Sequence, residues 1–443
     1  MSTPTVQHPH DTTTTPVTGL TDPTGLIDPT GLIDRTGLLA ALDAAGLTGR
    51  GGAAFPTATK VRAAVRAGAP LIVNACDGEV DAAKDGYVVR EHLPELVRGA
   101  GRLAGDRVTY AARRGSDTLA HLRAAGLPVL DVPDRHVSSE ESALVALAAG
   151  GLARPLAKDA PVAYGTAGHS PTLVLNAETV WRVDEIATYG PDWFASLGEP
   201  DEPGPRLVTV ATGGAGHGAD GGLDGGARGG AGSRVVVETQ AGEPVADLLA
   251  RAGVDPRGVA HVLVGGLSGV WMTADEALTC RWSATDLARY GARPASGVLR
   301  VVPHGACPLD VVAQHLRYAT GESAGQCGPC MFGVPAVAAD LLALADGSTD
   351  VEVRGRLDTR LPLLAGRGAC RFPDGVAGYA ASVLRVLGRH LDEHAVGRCD
   401  PTTGSVWAPT PGLAPGAASA DAPTQALPTI PTTAMPSQPK ERA

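Results

Sequence analysis

Glu322-Ser-Ala-Gly-Gln-Cys327-Gly-Pro-Cys330, joined after thirty-nine further residues by Cys370, is the stretch from which the rest of the chain can be read. Two thiolates spaced C-x-x-C and a distant third suit a soft metal centre, because a tight loop aims both near sulfurs at one point. Gly325, Gly328 and Pro329 let the backbone approach a cluster's sulfide closely. A helix start predicted just after Cys330 adds backbone N–H groups that stabilise thiolate or cluster charge. The plain alternative is two buried free cysteines and an unrelated third. An iron–sulfur centre and a zinc site both stay open on spacing alone.

Helical periodicity surrounds this loop. Leu309, Val312, Ala313, Leu316 and Ala319 form one apolar stripe, and similar stripes run through residues 337–345, 353–364 and 379–391. This predicts a helical domain over 304–402, a four-helix bundle in which the C-x-x-C loop follows the first helix. Cys370 falls between the third and fourth helices, so the sulfurs can meet at one end. Cys307, before the first helix, lies about 20 Å from that end at ~1.5 Å per residue, which makes it a poor fourth ligand; Cys399 is somewhat better placed. His390 and His394, four apart on one helix, would bind a metal with Cys399, but such a pair more often simply faces water.

Upstream, β-like runs at Leu71–Asn74, Arg107–Ala111 and Pro128–Val132 alternate with Leu/Ala/Arg-rich helical stretches across 37–203. That alternation predicts a doubly wound, Rossmann-like α/β layer with ligands at the carboxyl ends of its strands. Residues 204–303 predict a smaller unit with strands at Leu207–Ala211, Arg234–Glu238, His261–Val264 and Val298–Val302 and a helix at Val245–Ala252. The glycine-rich run 213–233 inside it cannot pack and is expected to be a flexible loop. Residues 1–36, with three hexads beginning at Thr18, Thr24 and Thr30, and residues 403–443, rich in Ala, Pro and Thr, are expected to be disordered tails without chemistry.

The totals agree with a multidomain cytoplasmic protein. The 443 residues exceed one ordinary domain, and a formal charge of −10 argues against a nucleic-acid partner. Seven scattered cysteines fit reduced thiols or metal ligands better than a disulfide framework. No apolar run reaches the ~18 residues of a spanning helix, and the first residues lack a signal peptide's pattern. Four lysines against thirty-three arginines reflect genome composition and carry no chemistry. No G-x-S-x-G elbow or paired-carboxylate hydrolase pattern is present.

Four motifs then share one resemblance. Gly46-Leu-Thr-Gly49-Arg50-Gly51-Gly52-Ala-Ala-Phe55-Pro-Thr-Ala-Thr-Lys60, Asn74-Ala-Cys76-Asp77-Gly-Glu79 with Lys84-Asp85, Ser139-Glu140-Glu141-Ser-Ala-Leu144, and Pro171-Thr-Leu-Val-Leu175-Asn176-Ala-Glu-Thr179 stand in that order ahead of the cysteine loop. Together they resemble the NADH-oxidising flavoprotein subunit of respiratory complex I and its relatives in bacterial hydrogenases and formate dehydrogenases, over about residues 40–395. The resemblance implies a Rossmann-like FMN-binding domain, a β-grasp-like (SLBB-type) domain and an iron–sulfur helical domain. By it, Gly49, Arg50, Gly51, Gly52 and Lys60 hold FMN, and Phe55 packs on the nicotinamide nucleotide. Asn74, Asp77, Glu79, Glu140 and Glu141 meet flavin and NADH, while Asn176 and Thr179 receive the FMN tail. Cys327, Cys330 and Cys370 are the cluster ligands.

The departures from that pattern are equally specific. Ala324 replaces the first cluster cysteine, which implies either a 4Fe-4S centre with a non-family ligand, among them Ser323 or water, or a 3Fe-4S centre. Such an open iron predicts oxygen sensitivity. Cys76 and Asp77 replace acidic residues, Leu175 an asparagine and Val61 a tryptophan, and the stretch 155–170 offers only Tyr164 as an aromatic. A lost stacking partner costs on the order of 0.5–1.5 kcal/mol, which weakens NADH binding more than FMN binding. Cys76 is read as a small buried residue before any redox role.

The expected function is electron transfer from NADH or NADPH through FMN to the cluster, then to a ferredoxin-like or quinone-reducing membrane partner. The location is cytoplasmic or peripheral to the inner membrane face. The rival expectation is a non-enzymatic electron relay or redox sensor that keeps the cluster and has lost NADH, with or without FMN.

Overall fold

The structure, a computed structural model, describes residues 35–156, 161–166, 168–213 and 233–399. The expectations for the glycine-rich run and for both tails therefore fall almost wholly outside the described residues; Arg35 and Thr36 open a helix that runs to Ala44.

The first layer is a four-stranded sheet, β1 (Leu71–Asn74), β2 (Val108–Arg113), β3 (Val129–Val132) and β4 (Leu173–Asn176), in the order β3-β2-β1-β4. Every pairing is parallel. The chain moves from β1 outward to β2 and β3, then crosses back to lay β4 on the other side of β1. Such a reversal opens a crevice at the carboxyl ends of the two central strands. Asn74 and Asn176, the last residues of β1 and β4, are register partners at that crevice. β4 is legible in sequence only as a helix start: four apolar-to-polar residues run straight into the helix Ala177–Tyr189, whose N-cap is Asn176.

A two-stranded ribbon, β5 (Gly198–Glu199) and β6 (Glu202–Pro203), leads into a mixed five-stranded sheet. Its strands are β7 (Pro205–Thr212), β8 (Ser233–Gln240), β9 (Val259–Val264), β10 (Val270–Thr273) and β11 (Val298–Pro303), in the order β10-β9-β11-β7-β8. β7 and β11 are parallel neighbours and the remaining pairs are antiparallel. A helix, Val245–Arg251, packs on this sheet through Val245, Leu248 and Leu249. The sheet is fastened to the first layer by Arg300 of β11, which reaches both oxygens of Asp81 at 2.5 Å with both side chains buried.

The C-terminal region is helical. Helix Pro308–Glu322 buries Leu309, Val312, Leu316 and Ala319 on one stripe, as the periodicity predicts, and packs with helices Val334–Ala345, Glu352–Arg360 and Phe372–Val386. Two details differ from the sequence reading. The third helix gives way after Arg360 to a tight turn containing Pro362, which cannot continue the ladder. The fourth predicted helix is two: it stops at Val386, Leu387 leaves helical geometry, and Gly388–Ala395 starts in a new direction. That break carries His394 back toward the start of helix Pro308–Glu322.

Candidate cofactor cleft and cysteine site

A cavity of about 850 Å³ lies at the crevice between β1 and β4 and continues to the helical region. Its wall includes Gly51, Gly52, Asn74, Asp77, Glu79, Glu140 and Asn176 from the first layer, Gly265 to Val270 of the second sheet in part, and Cys370 with Phe372. The volume falls within the ~300–1,000 Å³ of small-molecule sites.

Each wall residue is held by the fold. Asn74 donates to the Ser139 carbonyl at 2.9 Å and accepts the Cys76 N–H at 3.2 Å, which pins loop 136–139 over the strand end. Gly78 allows that loop to close in, since a Cβ there would stand 2.0 Å from Ser139 Oγ. Asp77 adopts φ 45° in the left-handed region, a strain offset by its carboxylate accepting the N–H groups of Asp85 at 2.9 Å and Gly86 at 2.7 Å. Glu79 accepts the Val80 and Leu267 N–H groups at 2.9 and 2.8 Å, bridging the first layer to the second sheet. Burial raises its carboxyl to about 7, against those same hydrogen bonds.

A buried charge network forms part of the same wall. Lys84, 2% exposed, pairs with Asp85 at 3.1 Å and Glu178 at 3.0 Å. Asn176 donates to Asp85, and its carbonyl oxygen accepts Thr179 N–H at 3.0 Å and Thr179 Oγ1–H at 2.8 Å. The first-turn donors of helix Ala177–Tyr189 at Glu178 and Thr179 are thus already met by protein acceptors.

The remaining residues singled out from sequence stand outside the cavity wall. Arg50 is buried away from it: its backbone N–H donates to Thr179 Oγ1 at 2.8 Å and its guanidinium donates to the Pro203 carbonyl at 2.9 Å. Burial brings that guanidinium down to about 9. Lys60 pairs with Glu141 at 2.7 Å and donates to the Val174 carbonyl at 2.9 Å, tying the glycine loop's helix to β4. The Gly49 N–H closes the loop on the Phe55 carbonyl at 2.9 Å. The Phe55 ring is 48% exposed and Tyr164 59%, so both aromatics present a face to solvent. Cys76 is buried, and burial holds its thiol far above the usual range, which leaves it a packing residue.

The cysteines converge. Cys330 is buried, and Cys327, Cys370 and Ala324 all pack against the same apolar cluster. Burial raises the Cys330 thiol to about 11; a hydrogen bond with Ser323 opposes the rise, while Cys327 at hydrogen-bonding range and Cys370 at electrostatic range add to it. Two thiols and a hydroxyl thus lie within hydrogen-bonding range of one another, with the third thiol within electrostatic range, and a soft cluster fits this donor set. Cys307 and Cys399 are not among them. Cys307 caps the opposite end of the fifteen-residue helix Pro308–Glu322, roughly 20 Å away at ~1.5 Å per residue, and Cys399 lies beside it.

Sequence reasoning misses the contact between cleft and cysteine loop. Glu322 accepts the His136 N–H at 2.7 Å, and Gln326 donates to the Pro155 carbonyl. The His136 ring lies 5.2 Å from Phe372 and 6.2 Å from Tyr318, and Tyr318 hydrogen-bonds Arg113. Burial holds the His136 imidazole at about 4, with Arg113 adding to the drop. A lone histidine between two predicted strands gives no periodic or spacing signal.

The comparisons cover the same two regions. The Nuo51 FMN-binding domain matches residues 42–185, and the NADH-ubiquinone oxidoreductase-F iron-sulfur binding region matches residues 310–394. The F-type subunit of the NADH-quinone oxidoreductase of Streptomyces coelicolor is 25% identical over 409 residues, 84% of this chain and 86% of that protein. The alpha subunit of the NAD-reducing hydrogenase HoxS of Cupriavidus necator is 27% identical over 319 residues, 65% of this chain and 48% of that protein. The crystal structure of an NAD+-reducing NiFe-hydrogenase in the H2-reduced state superposes with a TM-score of 0.69 at 26% identity, over 84% of this chain and 68% of that one. Among the described residues no helix is long and apolar enough to cross a membrane.

Proposed function

We propose that this chain, a divergent relative of the NADH-oxidising flavoprotein subunits of complex I and NAD-reducing hydrogenases, is an NADH-linked electron-transfer subunit that holds FMN in the cleft and an iron–sulfur cluster on Cys327, Cys330 and Cys370. The observation that carries the reading is that Cys370 belongs to the cleft wall and to the cysteine cluster at once. When bound, the flavin supplies the exchange between two-electron and one-electron chemistry, and the cluster stores one electron.

The chain's own residues position and shield. Gly51 and Gly52 offer backbone without side chains to a flat ligand, and Asn74 and Asn176 fix the two strand ends beneath it. Glu79 joins the two sheets across the cleft, and with its carboxyl raised to about 7 it can hold a proton near neutral pH. Phe55, partly exposed at the end of the glycine loop, is available to stack on a nicotinamide nucleotide. Ser323, hydrogen-bonded to the Cys330 thiol, is an oxygen donor placed to stand in for the cysteine that Ala324 replaces. The electron acceptor is a partner redox subunit, ferredoxin-like or membrane-associated.

Anaerobic purification followed by flavin, iron and sulfide analysis tests this directly. The expected result is one FMN and one cluster per chain, with NADH or NADPH bleaching the flavin. Cluster without flavin, or flavin that neither nucleotide bleaches, would replace this reading with the electron relay or redox sensor.

A further inference from the structure

We infer that Cys307, His394 and Cys399 form a second metal site, separate from the cluster cysteines and suited to a zinc-like divalent cation. The three residues come from different segments: Cys307 is the N-cap of helix Pro308–Glu322, His394 sits in the last turn of Gly388–Ala395, and Cys399 follows that helix. Their ligand atoms all lie within 4.8 Å of one another, and Cys307 Sγ is 3.4 Å from His394 Nε2. Ligands around a tetrahedral zinc at ~2.3 Å (sulfur) and ~2.0 Å (nitrogen) stand about 3.5–3.8 Å apart. A contraction of about 1 Å at most assembles the site.

The surroundings match what such a ligand set needs. His394 Nδ1 is 2.6 Å from the Ala345 carbonyl. A carbonyl only accepts, so Nδ1 carries the proton and Nε2 turns its lone pair toward Cys307. A carbonyl that fixes the tautomer of a metal-binding imidazole is the usual supporting contact. Cys307 is buried at a helix N-terminus; burial raises its thiol, and the nearby Leu309 N–H opposes that rise. Asp310, the third residue after Cys307, is within electrostatic range of both Cys307 and His394 and is placed to orient a water as the fourth ligand.

Charge closes as well. A divalent cation displaces one proton from each thiol to solvent, and two thiolates with one neutral imidazole leave the centre uncharged. The ion would clip the returning last helix to the start of the helix whose far end leads into the cysteine loop. His394 extends the clip to helix Val334–Ala345 through the Ala345 carbonyl.

The test uses the full-length, cluster-containing protein, purified anaerobically and equilibrated with zinc chloride before desalting. Elemental analysis should give one zinc per chain beside the iron, and zinc X-ray absorption should show two sulfur and one imidazole ligands. His394→Gln and Cys399→Ser should each lower retained zinc at least about tenfold, in line with lost ligation, while iron content stays unchanged. Zinc absent from the wild type overturns the inference, as does an all-sulfur or all-oxygen shell or zinc retained in both variants. A Cys307–Cys399 disulfide found by mass spectrometry in the anaerobic sample also overturns it.

Discussion

Glu322 Oε2 accepts the backbone N–H of His136 at 2.7 Å, joining residues 186 positions apart in sequence. Glu322 is the last residue of helix Pro308–Glu322 and opens the cysteine loop, while His136 belongs to the loop that Asn74 pins over the end of β1. One carboxylate therefore sets how far the sulfur-bearing loop stands from the cleft. Gln326 repeats the attachment a turn later through the Pro155 carbonyl. The two contacts dock the loop on the first layer from both sides.

Glu322→Ala should remove an acceptor from a part-buried N–H and cost about 1–3 kcal/mol. Glu322→Gln keeps an acceptor oxygen and should lose less than half of that. Urea unfolding of the anaerobic protein measures both, and iron retention should fall in the same order. Wild-type stability in Glu322→Ala would mean that the attachment carries no energy.

The cleft wall holds two groups whose titrations oppose each other. Burial raises Glu79 to about 7, so its protonated form favours the folded state: that contribution is complete below the unfolded value near ~4.3 and is lost as pH climbs through 7. Burial lowers His136 to about 4, so its contribution is complete above ~6.5 and is lost as pH falls through 4. Between about pH 4.5 and 6.5 the two slopes cancel. Each is worth no more than about 3 kcal/mol, since both side chains border the cavity. Glu79→Gln should make the chain lose stability on acidification across this window, and His136→Gln should make it lose stability on alkalinisation. Parallel profiles for wild type and both variants would contradict these shifts.

The parts of this architecture legible in sequence are those with a local pattern. The stripe from Leu309 to Ala319 announces itself because burial repeats every 3.6 residues, and the runs at Leu71 and Leu207 because they are short, almost continuously buried apolar stretches. β4 is missed because its four residues merge with a helix cap, and β10 because Val270–Thr273 is short and flanked by glycine and a helix start. The site divides in the same manner. The glycine loop, Asn74 and the cysteines carry spacing signals, whereas His136, Tyr318 and Arg113 meet only through tertiary packing. Helical spacing alone makes His394 a solvated partner of His390. The break at Leu387 instead sends His394 to Cys307, while His390 meets the His261 ring edge-on at 5.3 Å.

The Arg300–Asp81 pair fixes the second sheet against the cleft, with both partners buried and bidentate contacts at 2.5 Å. Arg300→Met should cost about 3–5 kcal/mol by leaving Asp81 buried without its guanidinium. The double variant Arg300→Met, Asp81→Leu should recover part of that loss, because no charge then remains to be desolvated. A double-mutant cycle by thermal unfolding measures the coupling, and additive single effects would show that the two groups do not act as a pair.

Ala324, partly buried beside the helical core as Cys327 and Cys370 are, occupies the position at which the resemblance implies the first cluster cysteine. Ala324→Cys should complete a four-thiolate set, and the cluster should outlast the wild type in air at least about tenfold, the scale on which such a ligand change alters metal retention. Ser323→Ala in the wild-type background should act in the opposite direction, because it removes the oxygen hydrogen-bonded to Cys330. In the Ala324→Cys background the same change should matter little, since a thiolate then occupies the position. Iron and sulfide content followed against time in air reads all three variants. If Ser323→Ala shortened cluster lifetime equally in both backgrounds, Ser323 would be acting on the Cys330 thiol alone and not standing in for the missing ligand.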